Sequence, residues 1–329
     1  MVRIGINGFG RIGRMVTRIA CITPGVEVVA VNELADSSTM AHLFKFDSVH
    51  GKYGGDVIAK EKSLEIDGQD INYFSVKEPH LIPWEDADVD VVFECTGKFK
   101  DRRVASQHLR PSLHKVVITA ATTDDSVPMV VLGVNDHLID PDWDVISNAS
   151  CTTNNAAPMI KLIHENFGIE SCYITTVHSY TGDQRIHDAP HTDLRRARAA
   201  ALSIVPTTTG AAKALTRVFP DLALQIGGCG IRVPVPDGSL TDMTCIVNAS
   251  TSVEEVNQLF RKWSEEQMAG IVKYTEEPIV STDVLGDAHS CIFDAQLTSV
   301  IGKMVKVVGW YDNEIGYSHR LIELARRLI

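Results

Sequence analysis

Arg3-Ile4-Gly5-Ile6-Asn7-Gly8-Phe9-Gly10-Arg11-Ile12-Gly13 is a short β-forming run that gives way to three glycines spaced G-x-G-x-x-G. Alone this spacing is a weak signal, because glycines gather in turns for many reasons. Here its context is present. A strand precedes it, and a helix over 11–22 opens inside it, with Ile12, Val16 and Ile19 at helical spacing and Met15 beside them. The next strand, Val26–Asn32, ends one residue before Glu33, which lies 20 positions beyond Gly13. Gly8 suits a tight turn, Gly10 removes a Cβ where a pyrophosphate must approach backbone, and Gly13 lets helix and strand pack closely. The helix start then offers its N–H groups to the anion. A carboxylate at Glu33 accepts hydrogen bonds from a ribose 2′-hydroxyl and repels a 2′-phosphate, which predicts NAD rather than NADP.

Outward from this unit, β-branched runs at Val91–Cys95, Val116–Thr119, Met129–Val134 and Val145–Ser147 alternate with polar or helical stretches. Near-continuous apolar strands joined by crossovers predict a doubly wound parallel sheet covered on both faces. Beyond residue 150 the pattern changes. A helix over 152–167 carries Met159, Leu162, Ile163 and Phe167 on one stripe. Longer strands follow at Cys172–Val177, Gly230–Val235, Asp242–Asn248 and Lys303–Trp310, and a last helix over 317–329. This predicts an α/β Rossmann domain followed by an α+β domain with a mostly antiparallel sheet.

A chain of 329 residues has the length of two domains. Its 31 Lys and Arg against 42 Asp and Glu give a net charge of −11, which argues against a dedicated nucleic-acid or anionic-membrane partner. No apolar run approaches the roughly 18 residues of a membrane span, and the start lacks a signal-peptide core. The seven cysteines are odd in number and contain no C-x-x-C pair, so no disulfide framework, metal site or oxidising compartment is indicated. A cytoplasmic location is expected.

Among the cysteines, Cys151 alone sits where a strand gives way to a helix, within Ser147-Asn148-Ala149-Ser150-Cys151-Thr152-Thr153-Asn154. A helix N-terminus favours the thiolate, which predicts a lowered thiol pKa. His178, at the end of the strand that begins at Cys172, is the candidate base of a Cys/His nucleophilic pair. Cys95 and Cys245 lie in apolar runs and read as core thiols. Beyond the pair, Thr181, Asp183, Arg185, Arg195, Arg196, Arg198, Thr207-Thr208-Thr209-Gly210 and Arg232 concentrate Arg and Thr in an otherwise acidic chain. This pattern suits one or two phosphate pockets, with a subunit interface as the alternative for 195–198.

Seven ordered motifs, at 6–14, 45–51, 147–154, 175–178, 206–214, 232–236 and 310–318, resemble the phosphorylating glyceraldehyde-3-phosphate dehydrogenases, and the resemblance runs from residue 2 to residue 328. It implies an NAD-binding domain of 1–150 plus 313–329, a catalytic domain of 151–312, and a homotetramer whose loop around 180–203 reaches a neighbouring subunit's cofactor site. It implies Cys151 as nucleophile and His178 as base in the conversion of glyceraldehyde 3-phosphate, NAD and inorganic phosphate to an acyl phosphate. Thr181, Asp183 and Arg232 would surround the substrate phosphate. Ser150, Thr152, Arg196, Thr209 and Gly210 would serve the attacking phosphate. Arg11, Ile12, Glu33, Lys77, Thr119 and Asn313 would contact NAD together with the glycine turn, with Tyr317 near the nicotinamide.

The chain departs from the family's common pattern at Glu33 (commonly Asp), Lys77 (Arg), Asn155 (a second Cys), Ala189 before Pro190 (Leu) and Ile315 (Trp). Ala189 removes bulk that would help exclude NADP. The related erythrose-4-phosphate dehydrogenases share Asn32-Glu33-Leu34 but depart from the Thr207–Gly210 and Tyr180–Asp183 patterns kept here. A non-enzymatic binding role through the Rossmann face is the reading from another class, and an intact Cys151/His178 pair argues against it.

Overall fold

A computed structural model describes all residues from Met1 to Ile329. The chain divides into two compact units, one comprising 1–130, 138–149 and 318–329 and the other 131–137 and 150–317. Against the expected boundaries at 150 and 312, the chain changes unit at 149/150 and again at 317/318.

The first unit is built on an eight-stranded sheet. Its elements in chain order are β1 (Val2–Asn7), α1 (Arg11–Ala20), β2 (Val26–Asn32), α2 (Ser37–Lys45), a two-stranded ribbon of β3 (Phe46–Asp47) and β4 (Gly51–Lys52), β5 (Val57–Ala59), β6 (Ser63–Ile66), β7 (Gln69–Phe74), β8 (Val91–Glu94), α3 (Arg102–Ala105), β9 (Lys115–Ile118) and β10 (Val145–Ser147). The strand order is β10-β9-β8-β1-β2-β7-β6-β5. From β10 through β7 every neighbouring pair is parallel. All residues of β8, β9 and β10 are buried, as strands covered on both faces require. The chain winds outward from β1 through β2 to β7, then returns to the other side of β1 with β8. Their carboxyl ends form the switch point at which doubly wound sheets bind ligands.

Two local features depart from the sequence reading. Antiparallel β6 and β5 extend the parallel sheet at one edge. The expected strand over Met129–Val134 is absent. Met129 makes a single bridge to Ser147, and Gly133 at φ +77° turns the chain. Residues 130–132 are still 1% exposed or less. Their apolarity reports burial, which periodicity alone does not distinguish from a core strand.

The second unit carries α4 (Cys151–Phe167), β11 (Ile169–Ser179), β12 (Val205–Thr207), α5 (Gly210–Val218), β13 (Ile226–Val233), β14 (Ser239–Val247), α6 (Val253–Glu265), β15 (Val272–Thr275), β16 (Cys291–Asp294), β17 (Ser299–Ile301), β18 (Met304–Tyr311) and the start of α7 (Ile315–Leu328). The strand order is β12-β13-β11-β14-β18-β16-β15, with β17 on β18. Most pairs are antiparallel, while β11–β13 and β15–β16 are parallel. β14 alternates buried and half-buried residues along its whole length, the period-two signature of a sheet with one face in the core. The apolar stripe of α4, Met159, Leu162, Ile163 and Phe167, is buried as expected.

Candidate active site

Cys151 is the first residue of α4. Ala149 adopts a left-handed φ of +56°, uncommon for a side-chain-bearing residue, so the chain turns sharply into the helix. Ser150 caps that helix: its hydroxyl accepts from Thr153 N–H at 3.2 Å. The thiol is thereby held over the helix start, beside Thr152 N–H.

Strand register brings the partners together. On parallel β11 and β13, His178 lies directly beside Arg232, and Arg232 lies opposite Val205 of β12. His178 Nε2 is 3.5 Å from Cys151 Sγ. Its Nδ1 lies 2.8 Å from the Ser179 carbonyl oxygen. Donation from Nδ1–H to that carbonyl would leave Nε2 as an acceptor facing the sulfur, the tautomer a base needs, and requires Arg232 to give up its contact with Nδ1. Arg232 Nη1 is 2.7 Å from the same Nδ1 and donates to the Ser179 carbonyl at 2.9 Å. Tyr311, at the end of β18, stands edge-on to the His178 ring with centroids 6.0 Å apart.

The electrostatics correct one expectation. Burial pushes the Cys151 thiol up to about 11, and the opposing pulls of Arg232 and the Thr152 N–H do not offset it. Burial, then the Arg232 charge, pushes His178 down to about 3. The unliganded pair is therefore a thiol facing a neutral imidazole. The helix-terminus effect expected from sequence is present, but desolvation exceeds it.

A second group of expected residues clusters around Arg196, which donates to Asp183, to Thr207 Oγ1 at 3.0 Å and to the Thr208 carbonyl at 3.3 Å, with Asp193 3.6 Å away. His191 Nε2 lies 3.6 Å from Asp183. Asp183 thus holds Arg196 in place. Arg232 feels the charges of Cys151, Tyr311, Arg196 and Asp183, so it stands between the Cys/His pair and this cluster. Thr209 caps α5, accepting from Ala211 N–H at 3.2 Å, and the space beside Gly210 Cα is open. Thr181 is half-buried beside this loop. Arg195 and Arg198 are exposed, and Arg198 pairs with Asp188. Thr152 is buried, its hydroxyl is engaged by Tyr311, and both its hydroxyl and its backbone N–H reach the Cys151 thiol.

In the first unit, the glycine turn has the backbone geometry that a dinucleotide site requires. Gly8 has φ +94°, and a Cβ there would come within 2.8 Å of Thr96 N. A Cβ on Gly13 would drive into the Gly8 carbonyl, whereas Gly10 borders open space. The N-terminus of α1 has no side-chain cap and no acidic residue in its first turn, which leaves its positive end for an anion. Arg11, at the helix start, pairs with Asp47, and Ile12 follows it half-buried. Glu33 accepts from Phe9 N–H at 2.9 Å and Leu34 N–H at 2.7 Å, which anchors the carboxylate beside the turn. Thr119 donates to the Glu94 carbonyl at 2.9 Å, and Lys77 is exposed just beyond Val76. These groups fit a dinucleotide.

Several supporting residues escaped the sequence reading. Glu94, 1% exposed, accepts from Asn7 Nδ2, Thr96 N–H and Oγ1, and His108 Nε2. Trp84 Nε1–H donates to His108 Nδ1 at 3.1 Å, so the His108 proton sits on Nε2 and points at Glu94. Asn32 binds both Asn7 and the Val76 backbone. Asn7 and Asn32 each close a strand just before a motif residue, which is the signal that marks them. In the second unit, Ser179 and Ser239 both donate to Asn313 Oδ1, at 2.9 and 2.7 Å. That orients the Asn313 amide with Nδ2 left for a ligand. Tyr317 is buried on α7 two residues from its start.

Comparison with known proteins matches residues 2–102 to the glyceraldehyde 3-phosphate dehydrogenase NAD binding domain and residues 150–313 to the C-terminal domain of the same enzyme. The chain is 51% identical to glyceraldehyde-3-phosphate dehydrogenase of Thermotoga maritima over 332 residues, covering 100% of this chain and 99% of the relative. It is 50% identical to that of Geobacillus stearothermophilus, covering 98% and 97%, and 47% identical to that of Borreliella burgdorferi, covering all of both.

Proposed function

The chain belongs to the glyceraldehyde-3-phosphate dehydrogenase family, and from that membership we propose that Cys151 and His178 carry out the phosphorylating oxidation of glyceraldehyde 3-phosphate. The observation that carries the assignment is the 3.5 Å approach of His178 Nε2 to a thiol at a helix start. The protein is an NAD-dependent oxidoreductase of glycolytic chemistry. The relatives do not favour the erythrose-4-phosphate alternative, and the shared Asn32-Glu33-Leu34 is outweighed by the Thr207–Gly210 and Tyr180–Asp183 patterns.

Cys151 Sγ adds to the aldehyde carbon as its proton passes to Nε2, and the resulting alkoxide recovers a proton to give a hemithioacetal. Nε2 then accepts the hemithioacetal hydroxyl proton as hydride leaves the same carbon, and the acyl group remains on Sγ as a thioester. NAD, when bound, supplies the hydride acceptor. Phosphate oxygen attacks the thioester carbon, and the thiolate departs with release of the acyl phosphate.

Arg232 and Thr181 suit the substrate phosphate, with Asp183 acting through Arg196. Ser150, Thr152, Arg196, Thr209 and Gly210 suit the attacking phosphate. Burial, and after it the Arg232 charge, keeps His178 neutral; an anion on Arg232 offsets the second of these, so phosphate binding strengthens the base. Gly8, Gly10, Arg11, Ile12, Gly13, Glu33, Lys77 and Thr119 suit NAD in the first unit, as do Asn313 and Tyr317 in the second. The proposed domains are 1–150 with 313–329 for NAD and 151–312 for catalysis. No helix is long and apolar enough to cross a membrane.

We further propose a cytoplasmic homotetramer. Ile186, Leu194, Leu202 and Ile204 are 69–84% exposed in one loop, an apolar surface suited to subunit contact.

NAD reduction with glyceraldehyde 3-phosphate, with and without inorganic phosphate, tests the function. Turnover that needs all three reactants is expected, and activity indifferent to phosphate would overturn the reading.

A further inference from the structure

Tyr311 lies between the two elements that carry the reacting groups. It is 1% exposed, and its hydroxyl is 2.8 Å from Thr152 Oγ1 and 3.0 Å from Thr176 Oγ1. Thr152 follows Cys151 in the first turn of α4. Thr176 precedes His178 by two residues on β11, so the two side chains share one face of the strand. Thr176 is buried, and its hydroxyl lies 3.4 Å from the Leu240 carbonyl. A single donor direction satisfies the whole chain: Thr152 donates to Tyr311, Tyr311 to Thr176, and Thr176 to the Leu240 carbonyl. The same Tyr311 ring stands edge-on to His178, with an interplanar angle of 74°.

We propose that Tyr311 is a positioning residue for the Cys151–His178 pair, its hydroxyl tying the first turn of α4 to β11 so that Sγ and Nε2 stay within proton-transfer reach. The proposal rests on the assignment of that pair as nucleophile and base. One hydroxyl sets two lengths, one beside the nucleophile and one beside the base. Without it, neither Thr152 nor Thr176 has a fixed partner across the gap, and the helix start is free to move against the strand. A misplacement on the order of 1 Å at reacting atoms costs roughly 100-fold in rate.

The test is a set of variants read by single-turnover hydride transfer and by iodoacetamide alkylation of Cys151 across pH. Tyr311→Phe keeps the ring against His178 and removes only the hydroxyl. Thr176→Val breaks the far end of the bridge, and Thr176→Ser restores it. Tyr311→Phe and Thr176→Val should each slow hydride transfer by roughly 10- to 100-fold, with KM for NAD unchanged. The double variant should be no slower than either single one, because both remove the same tie. Thr176→Ser should keep wild-type rates. In a His178→Asn background, Tyr311→Phe should add nothing to the alkylation profile.

Wild-type hydride transfer from Tyr311→Phe, or losses that multiply in the double variant, would overturn the proposal. If Tyr311→Phe fails to fold, the Thr176→Val and Thr176→Ser pair still decides it. Failure of the functional reading is distinguishable, because it would appear in the wild-type protein as no NAD reduction with glyceraldehyde 3-phosphate. Alkylation of Cys151 would then report the tie without substrate.

Discussion

At Cys151 and His178, position and environment pull in opposite directions. The helix start favours a thiolate, while burial raises the thiol to about 11 and lowers the imidazole to about 3. Alkylation of Cys151 in the unliganded protein should therefore still accelerate above the ordinary thiol range, roughly pH 8.5; a plateau near neutrality would show that the helix and Arg232 prevail. Cys151→Ser should abolish turnover. His178→Asn should slow hydride transfer by roughly 10²–10⁴-fold, the range of a general base, and a much smaller loss in a single-turnover assay would remove His178 from that role. The depressed His178 pKa also acts on stability. The unfolded chain binds this proton near the ordinary value of about 6.5, and the folded chain does not until about 3. The stability is present above the unfolded value and is lost as pH falls towards the folded one. Between roughly pH 6.5 and 5 the loss is on the order of 2 kcal/mol, and denaturant unfolding of wild type against His178→Gln reads the difference.

Glu33 is the residue proposed to set cofactor choice. Its carboxylate is fixed by Phe9 and Leu34 N–H groups, so a 2′-phosphate would meet a charge that cannot swing away. NAD should be preferred over NADP by at least roughly tenfold in kcat/KM, about 1.4 kcal/mol. Glu33→Ala should raise NADP use far more than Ala189→Ser does. It should also weaken NAD binding, since the turn loses an acceptor. Steady-state kinetics with both cofactors checks this, and equal use by wild type would show that Glu33 does not face the ribose.

At the scale of elements, Glu94 joins the carboxyl end of β8 to that of β1 and to His108. All its partners are donors. Glu94→Gln keeps the shape but turns one acceptor into a donor, facing either Thr96 N–H or the Asn7 and His108 donors. The expected cost is about 1–3 kcal/mol, the penalty of an unsatisfied buried group. The loops after β1 and β8 should loosen with it and raise KM for NAD while kcat holds. Thermal unfolding and NAD titration read the two effects. An unchanged Tm and KM would mean that Glu94 is a spectator.

At the scale of the whole molecule, the loop over 180–204 exposes Leu202 at 84% and Ile204 at 69%. A tetramer should show about four times the 36.1 kDa chain mass by light scattering. Leu202→Asp leaves the folded chain's core untouched, and it should shift the assembly towards smaller species. A wild-type monomer would refute the proposed assembly.

Periodicity and motif spacing alone carried the two-part architecture, the glycine turn with Glu33, and the candidacy of Cys151 and His178. These are local consequences of periodicity, of positive φ at Gly8 and of a helix start. The misreading of Met129–Val134 as a strand has the same root, since apolar runs encode burial before they encode hydrogen-bonding partners. The surroundings of the Cys151 and His178 side chains come from long-range packing. The register of β11 on β13 sets Arg232 beside His178, the end of β18 delivers Tyr311 between Thr152 and Thr176, and Glu94 gathers donors from three segments. The contacts of His178 with Arg232, of Asn7 with Glu94 and of Thr152 with Tyr311 join residues 54, 87 and 159 positions apart in sequence, and those of Glu94 with Thr96 and His108 depend on burial that no single segment specifies. For the same reason the thiol's protonation state was not legible: the helix-terminus effect is local, whereas the desolvation that exceeds it comes from the whole packed unit.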